Sequence, residues 1–271
     1  ETLAQLPFSL PNTVPLRAFQ PPASLKLRWG RSGHCPGSVW YELTLEKRTL
    51  LFSGDYTESS LLYPADPIRR VRAELAVVDC AYGADPRSPA VLRFDLLTCL
   101  ADKLSSGKPV LLPVPKYGRG PELLALLRRA RPKTPVYGDA QFLRQLAWLQ
   151  ADRFWCSPHA RDALKTVQVQ PLTGVPADGV CFLSDPQLKA EASRELADAF
   201  LAAGGSLIMT GTPERGFYSE KLLQSGKMEL LRYPVHQNEA EYRALLRQNH
   251  FSRAIPYHTP DFPAKPEIQL K

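Results

Sequence analysis

The sequence predicts an α/β protein in which an α/β module interrupts a second domain. Two observations support this architecture. From about residue 91 to residue 225, short apolar strands alternate with helices, which is typical of βαβ units around a parallel sheet. Before this stretch, strands follow one another without long helices, and after it a single helix separates two strand-like runs. We therefore predict one domain built from 1–90 and 226–271, with an inserted domain at 91–225.

The first region contains four predicted strands. They lie at Leu25–Trp29, Val39–Leu45, Thr49–Ser53 and Leu75–Val78. In the first of them, Lys26 and Arg28 alternate with apolar residues, as in a strand with one buried face. The second and third form a predicted hairpin. The fourth is entirely apolar and stops at Asp79, which indicates a buried strand.

The inserted region repeats a strand-and-helix pattern. Its predicted helices are Leu92–Leu104, Pro121–Arg129, Ala140–Leu149 and Lys189–Ala203, and its predicted strands are Val110–Val114, Thr134–Tyr137, Val180–Leu183 and Ser206–Met209. Pro121 stands at a helix start, where its missing N–H costs nothing. Beyond the insert, Met228–Tyr233, a helix over Glu239–Gln248 and a strand over Arg253–Tyr257 are assigned to the first domain.

Composition narrows the range of functions. The 271 residues are 44% hydrophobic, which is enough for a sizeable core, and no apolar run approaches the roughly 20 residues that span a bilayer. We therefore predict no membrane partner. The five cysteines form no C-x-x-C pair and are interpreted as reduced thiols of a cytoplasmic protein. The net charge of +7 favours a polyanionic partner such as nucleic acid, although many basic proteins bind none.

Three distant stretches each place a metal-capable side chain at the end of a strand-like run. They are Gly33-His34-Cys35-Pro36-Gly37-Ser38, Ser53-Gly54-Asp55 and Pro256-Tyr257-His258. A carboxylate such as Asp55 is the natural bridge between two divalent ions about 3.5–4 Å apart, because its two oxygens can each serve one ion. Taken singly, His34 is equally a loop histidine that binds a carbonyl, and Asp55 is equally the start of a turn.

Taken together, these motifs resemble the later motifs of the metallo-β-lactamase superfamily. Asp79-Cys80-Ala81-Tyr82-Gly83 is similar to the acidic motif of its β-CASP nuclease branch, and Gly118-Arg119-Gly120-Pro121-Glu122-Leu123-Leu124 is similar to a helix start in that branch's insert. His236-Gln237-Asn238 and Pro256-Tyr257-His258 resemble its last two motifs. The resemblance implies a partial metallo-β-lactamase αββα sandwich with an inserted β-CASP domain.

The resemblance also implies a role for each matched residue. His34 would ligate a first Zn²⁺ ion, Asp55 would bridge two ions, and His258 would ligate the second. His236, oriented by Asp79, would protonate the leaving oxygen. A histidine paired with a carboxylate is suited to this task because the pair fixes one tautomer and keeps a proton available near neutral pH.

Five further residues are predicted to contact the substrate. Ser38 belongs to the first motif, and Lys116 and Arg119 open a basic cluster that is either a phosphate-binding groove or a solvated helix face. Gly211 and Thr212 follow a strand, as a phosphate-cradling turn would, although a plain turn at the strand exit is the preferred interpretation.

One departure from the family pattern is prominent. The sequence contains five histidines, at 34, 159, 236, 250 and 258, and no His-x-His-x-Asp-His cluster. The ligands on offer are one histidine for each ion and a shared aspartate, a set that should bind zinc weakly. Because the chain opens on Glu1 without a methionine or a signal pattern, we expect a processed product or fragment.

The missing cluster predicts a partner. A chain that supplies one half of the αββα sandwich should expose the inner face of its sheet, with residues such as Leu51, Val77, Val78 and Ile255. We expect this face to form an obligate interface of roughly 2,000 Å² or more. The partner would be the N-terminal half of the lactamase domain, as a fragment or a separate subunit, with a homodimer as the other arrangement.

The sequence leaves three functions open. The first is a metal-dependent phosphodiesterase that acts on RNA, with a DNA exonuclease that acts on single-stranded DNA as a near variant. RNA is favoured because a histidine at the last motif, here His258, is typical of RNA-acting members. The second is a non-catalytic subunit that keeps the fold for nucleic-acid binding or assembly. The third is a lactamase-fold hydrolase that is not a nuclease, which the insert and the basic charge disfavour.

Overall fold

The computed structural model describes residues 24–152 and 154–258, and shows a mixed α/β fold with two sheets. The parts of the predicted first domain at 1–23 and 259–271 lie outside the described residues. The fold agrees with a partial metallo-β-lactamase sandwich that carries a β-CASP insert. None of the helices that the structure describes combines the length and apolar character needed to cross a bilayer.

The first sheet has five strands in the order β1-β2-β3-β4-β11. These are β1 (Leu25–Arg31), β2 (Val39–Leu45), β3 (Arg48–Phe52), β4 (Arg72–Asp79) and β11 (His250–Tyr257). The first three form an antiparallel meander, whereas β3, β4 and β11 are parallel neighbours. The predicted strands of the first region are all present.

The second sheet has six strands in the order β10-β9-β5-β8-β6-β7, and all of them are parallel. They are β5 (Val110–Pro113), β6 (Val136–Gly138), β7 (Gln170–Pro171), β8 (Val180–Leu183), β9 (Ser206–Met209) and β10 (Glu229–Leu230). The assignment of Met228–Tyr233 to the first region is wrong for its strand, because Glu229 and Leu230 pair with Ile208 and Met209 of the second sheet.

Seven helices are described: α1 (Pro89–Ser105), α2 (Arg119–Ala130), α3 (Ala140–Ala151), α4 (Pro158–Lys165), α5 (Glu191–Ala202), α6 (Tyr218–Gln224) and α7 (Glu239–Arg247). Apolar residues of α1 to α4 form one core cluster on the second sheet, and those of α5 and α6 form another with alternate residues of β5 and β8. The second sheet is therefore covered on both faces.

Within 24–152 and 154–258, the described parts of the chain, the first sheet is covered on one face only. Helix α7 packs Tyr242, Leu245 and Leu246 against Leu51 and Val78. Both of these strand residues are fully buried on the covered face, so the prediction that they lie on the exposed face is wrong. Side chains alternate between the faces of a strand, and a continuous apolar run hides that alternation.

The opposite side of the first sheet carries two rows of side chains, which we call the open face. Residues paired in register lie side by side, and the two rows are Trp29-Tyr41-Phe52-Val77-Ile255 and Leu27-Leu43-Leu50-Leu75-Arg253. None of them belongs to a core cluster of the described residues. Leu27 is 48% exposed and Phe52 is 37% exposed. Val77 and Ile255 thus lie where predicted.

Candidate functional site

The candidate site lies at one edge of the five-stranded sheet. Because β3, β4 and β11 are parallel neighbours, their carboxyl ends meet at this edge. Asp55 follows β3, Asp79 is the last residue of β4, and His258 comes directly after β11. His34 reaches the same edge after β1, which runs parallel to β3 through the antiparallel β2 between them. His236 enters from the segment between β10 and α7.

Asp55 stands between two histidines. Its Oδ2 is 3.6 Å from Nε2 of His34, and its Oδ1 is 3.2 Å from Nδ1 of His258. Each carboxylate oxygen therefore faces a different histidine. Ligand atoms of Asp55, Asp79, His236 and His258 also all lie within 4.8 Å of one another. The structure thus brings the five predicted metal and proton-transfer residues together in one cluster.

His34 is held as a neutral imidazole. Its Nδ1 lies 2.9 Å from the carbonyl oxygen of Val235, which can only accept, so Nδ1 carries the proton. Burial, reinforced by the nearby His236, lowers the pKa of His34 to about 4. The unprotonated Nε2 consequently points its lone pair toward the Asp55 carboxylate. Metal-binding histidines commonly donate their other ring N–H to a backbone carbonyl in this way.

The distances around Asp55 fit a divalent cation. Two ligands bound at about 2.1 Å to a tetrahedral ion are about 3.4 Å apart, close to the 3.6 and 3.2 Å measured from Asp55 to His34 and His258. The lone pair of Nε2 and the carboxylate would repel each other unless a cation or a proton donor lay between them. The chemistry of these donors therefore fits a metal at each oxygen of Asp55.

Asp79 and His236 form a buried pair. Nδ1 of His236 lies 2.8 Å from Oδ2 of Asp79, so the predicted hydrogen bond is present. Asp79 also accepts from the backbone N–H groups of Tyr56 and Ala81. Burial alone would raise the pKa of Asp79, but these hydrogen bonds hold it below its usual value. Both oxygens of Asp79 are occupied by N–H donors, which favours an orienting role over direct metal ligation.

His258 adopts an unusual backbone conformation. Its φ of 75° lies in the left-handed region, which is uncommon for a residue with a side chain. Such conformations cost of order 1–3 kcal/mol and cluster at functional sites. The ring of His258 meets that of His236 edge-on at a centroid distance of 5.3 Å, and the ring of His34 lies tilted against that of His236 at 4.6 Å. The strained position therefore places His258 among the other site histidines.

The loop that carries His34 is closed by its own hydrogen bonds. Ser32 N–H donates to Ser38 O, and Ser38 N–H donates to Cys35 O. Gly33 has a φ of 76°, and a Cβ there would lie 2.1 Å from the carbonyl oxygen of Thr57. A glycine is therefore required at this position of the motif, because the backbone at Thr57 comes too close for a side chain. Burial raises the pKa of the Cys35 thiol, which disfavours a thiolate ligand at this position.

Arg119 is a partly buried cation next to the site. Its Nε is buried without a hydrogen-bond partner, and burial lowers its pKa, although a guanidinium stays protonated in proteins. Its charge contributes to the low pKa of His34. A Cβ at Gly211 would lie 2.0 Å from Nη1 of Arg119. The structure thus brings together Arg119 and Gly211, two of the predicted substrate contacts.

Of the other predicted substrate contacts, Ser38 and Thr212 have structural partners, and Lys116 is exposed. The Ser38 hydroxyl lies 3.0 Å from the Cys35 sulfur. The carbonyl oxygen of Thr212 accepts from Gln187 Nε2 at 3.0 Å, which agrees with a turn at the strand exit. Lys116 is exposed at the end of the segment that follows β5. Substrate contact by these three residues stays a prediction.

The sequence did not predict the polar residues that hydrogen-bond to the backbone around the site. Tyr82 donates its hydroxyl to Tyr233 O and accepts from Val235 N–H, which fixes the carbonyl that holds His34. Gln237 donates to the carbonyl oxygen of Asp79 at 2.6 Å. Both residues lie within the motifs that contain Asp79 and His236, and this position is the signal in the sequence that could have identified them. Their partners depend on the tertiary structure.

Comparisons with known proteins identify ribonucleases as relatives. The chain is 33% identical to a ribonuclease of Thermus thermophilus over 122 residues, which are 43% of this chain and 28% of that protein. It is 32% identical to an RNase of Saccharolobus solfataricus over 43% of this chain and 24% of that protein. It is 30% identical to an endoribonuclease of Emericella nidulans over 35% of this chain and 11% of that protein.

These matches confirm the resemblance to the RNA-processing β-CASP branch of the metallo-β-lactamase superfamily. No family model matches the chain. The aligned segments span less than a third of each of these three relatives.

Proposed function

We propose that this chain is part of a metal-dependent phosphodiesterase that cleaves RNA. The observation that carries the proposal is the arrangement around Asp55, whose two oxygens face His34 and His258 at ligand-to-ligand distances. Three relatives named as ribonucleases support RNA as the substrate. Zn²⁺ is the metal that one carboxylate and neutral imidazoles favour in a hydrolytic site.

Each site residue then has a task. His34 and His258 would hold one ion each, and Asp55 would hold both. Bound there, Zn²⁺ would polarise the phosphoryl oxygens and make hydroxide available near neutral pH. Asp79 accepts a hydrogen bond from Nδ1–H of His236 and would stabilise its imidazolium form, whose Nε2 proton would then be given to the leaving oxygen. The positive charge of Arg119 would stabilise the negative phosphoryl group.

The proposal includes a partner that completes the site. A zinc site needs at least three protein ligands, and this chain offers each ion one histidine and a shared carboxylate. The open face ends at the same sheet edge as the site and is apolar over nine of its ten positions. We infer that an N-terminal lactamase half bearing His-x-His-x-Asp-His, as a fragment or a subunit, covers this face.

The test reconstitutes the chain with such a half. Metal content is measured by mass spectrometry, and cleavage is followed on end-labelled RNA and on single-stranded DNA of the same sequence. We expect zinc and RNA cleavage in the complex, and loss of both when Asp55→Asn is introduced. The position of the end-labelled products distinguishes internal from terminal cleavage.

Other outcomes select other functions. Preferential cleavage of DNA would favour the exonuclease that acts on single-stranded DNA. A complex that binds RNA and cleaves neither strand would favour the non-catalytic subunit. Robust hydrolysis by the isolated chain would contradict the need for a partner, and a stable dimer of this chain with a covered open face would replace the N-terminal half by a second copy.

A further inference from the structure

A small pocket with two exposed aromatic rings opens beside the candidate site. Its volume is about 230 Å³. This lies below the roughly 300–1,000 Å³ of pockets for drug-sized ligands, so it suits a single planar ring system. The lining residues are Pro36, Tyr117, Gln141, Arg144, Gln145 and Trp148.

The pocket adjoins the site through two loops. Pro36 belongs to the loop that carries His34, and Tyr117 lies two residues before the partly buried Arg119. The loops are in contact, because a Cβ at Gly118 would lie 2.7 Å from Cβ of Cys35. A ligand in the pocket would therefore lie between the lactamase-like loop and the inserted region, next to the cleft that holds the metal ligands.

The aromatic rings are presented to solvent. Tyr117 is 45% exposed, and Trp148 is 50% exposed. Leaving a large aromatic ring exposed forgoes the favourable free energy of burying it. Exposed aromatic residues that share a pocket are typical of stacking sites for unpaired bases.

Polar side chains hold this pocket in shape. The amide of Gln145, oriented to match its neighbours, accepts from Gly118 N–H at 2.7 Å and donates to Lys116 O at 3.3 Å. It thereby fixes the segment that carries Tyr117. Arg144 donates to Gln141 Oε1 at 2.9 Å, which places a guanidinium at the rim. The lining residues include no carboxylate, so no negative charge among them would repel the electronegative atoms of a bound ring.

We propose that this pocket binds one unpaired base of a single-stranded RNA whose phosphates enter the candidate site. The inference rests on the proposed function and assigns it a base-binding subsite. Trp148 and Tyr117 would stack on the base, and Arg144 would add a cation–π contact or a hydrogen bond to its edge. Bases inside a duplex are paired and stacked, so the subsite selects single strands.

The experiment measures binding without cleavage. Fluorescence anisotropy is recorded on the chain reconstituted with the N-terminal half, for a dye-labelled single-stranded RNA of about 12 nucleotides, within the roughly 4–16 that single-strand sites cover, with EDTA present. We expect Trp148→Ala to weaken binding about 5- to 100-fold, the equivalent of one base–aromatic stack. Trp148→Phe, which keeps a ring, should retain most of the affinity, and Tyr117→Ala should weaken it.

Two controls separate the subsite from general effects. Phe94→Ala removes an aromatic ring that is 69% exposed on α1 and outside this pocket, and should leave affinity unchanged. Duplex RNA of the same sequence should bind equally well to the wild type and to Trp148→Ala. Circular dichroism melting curves establish that the variants are folded.

The outcomes are distinct. If Trp148→Ala binds the single strand as tightly as the wild type does, the base subsite is wrong and the proposed nuclease function stands. If the wild type binds no RNA, both are wrong. If single-stranded DNA binds more tightly than RNA with the same dependence on Trp148, the RNA assignment is overturned. An equal loss with Phe94→Ala or with duplex RNA also contradicts the subsite.

Discussion

The two sheets of this protein are buried in different ways. Every residue of β5 and β8 is buried, because helices cover both faces of the six-stranded sheet. In the five-stranded sheet, α7 covers one face and the open face is left with partly exposed apolar residues. The candidate metal ligands lie on the sheet that is incompletely covered. Among the described residues, this difference supports the proposal that a partner covers the metal-binding region.

The largest expected effect distinguishes proton transfer from metal ligation within the region that carries the candidate site. In the reconstituted enzyme, His236→Ala should slow cleavage by about 10²–10⁴-fold and leave zinc content intact, because His236 acts on a proton. His258→Ala, at the edge of the five-stranded sheet, should lose zinc and activity together. Metal analysis and single-turnover kinetics check both variants. Loss of zinc in the His236→Ala variant would show that His236 is a metal ligand and would contradict its role in proton transfer.

The next prediction compares burial in the two sheets. Phe182 is fully buried on β8 and stacks on Phe142 at a centroid distance of 4.6 Å, so Phe182→Ala should cost about 3–5 kcal/mol in the free energy of unfolding. Phe52→Ala, on the open face, should cost less than about 1 kcal/mol in the isolated chain. Urea unfolding measures both. Similar costs would indicate that the open face is covered in solution.

A smaller effect is expected where the two regions meet. Glu122 of α2 accepts from Leu61 N–H, Leu62 N–H and the Tyr233 hydroxyl. Glu122→Gln replaces an acceptor oxygen with an amide that faces donors, which should cost about 1–3 kcal/mol. Glu195→Gln, at an exposed position of α5, is the matched control and should be neutral. Equal stability of the two variants would show that this contact does not hold the regions together.

The smallest effect tests whether the two regions unfold independently. Asn238 caps α7 with a reciprocal capping box to Glu241, and Asn238→Ala should cost about 1 kcal/mol. Because α7 covers the five-stranded sheet, amide hydrogen exchange should accelerate in β4 and β11 and stay unchanged in β8. Uniform acceleration across both sheets would mean that they unfold as one unit.

Local patterns in the sequence predict most of the elements but not all of their neighbours. The alternation in Leu25–Trp29 and the apolar runs at Val110 and Val180 identify β1, β5 and β8, because side-chain periodicity is a local property. The short helices α4 and α6 escape prediction because each has too few turns for a clear pattern. The sequence pattern assigns β10 to the wrong sheet, because its pairing with β9 depends on residues that are distant in the sequence.

The sequence by itself determined which residues could serve as ligands. Sequence motifs were sufficient to predict the site, because metal binding and proton transfer require particular residue types. The ligand motifs surround His34, Asp55 and His258, and the proton-transfer pair is Asp79 and His236. Only the tertiary structure decided how they meet. Parallel strand ends bring them to one edge, Val235 O fixes the tautomer of His34, and the pleat sends Val77 to the open face and Val78 to the core. These are long-range contacts, and local sequence does not encode them.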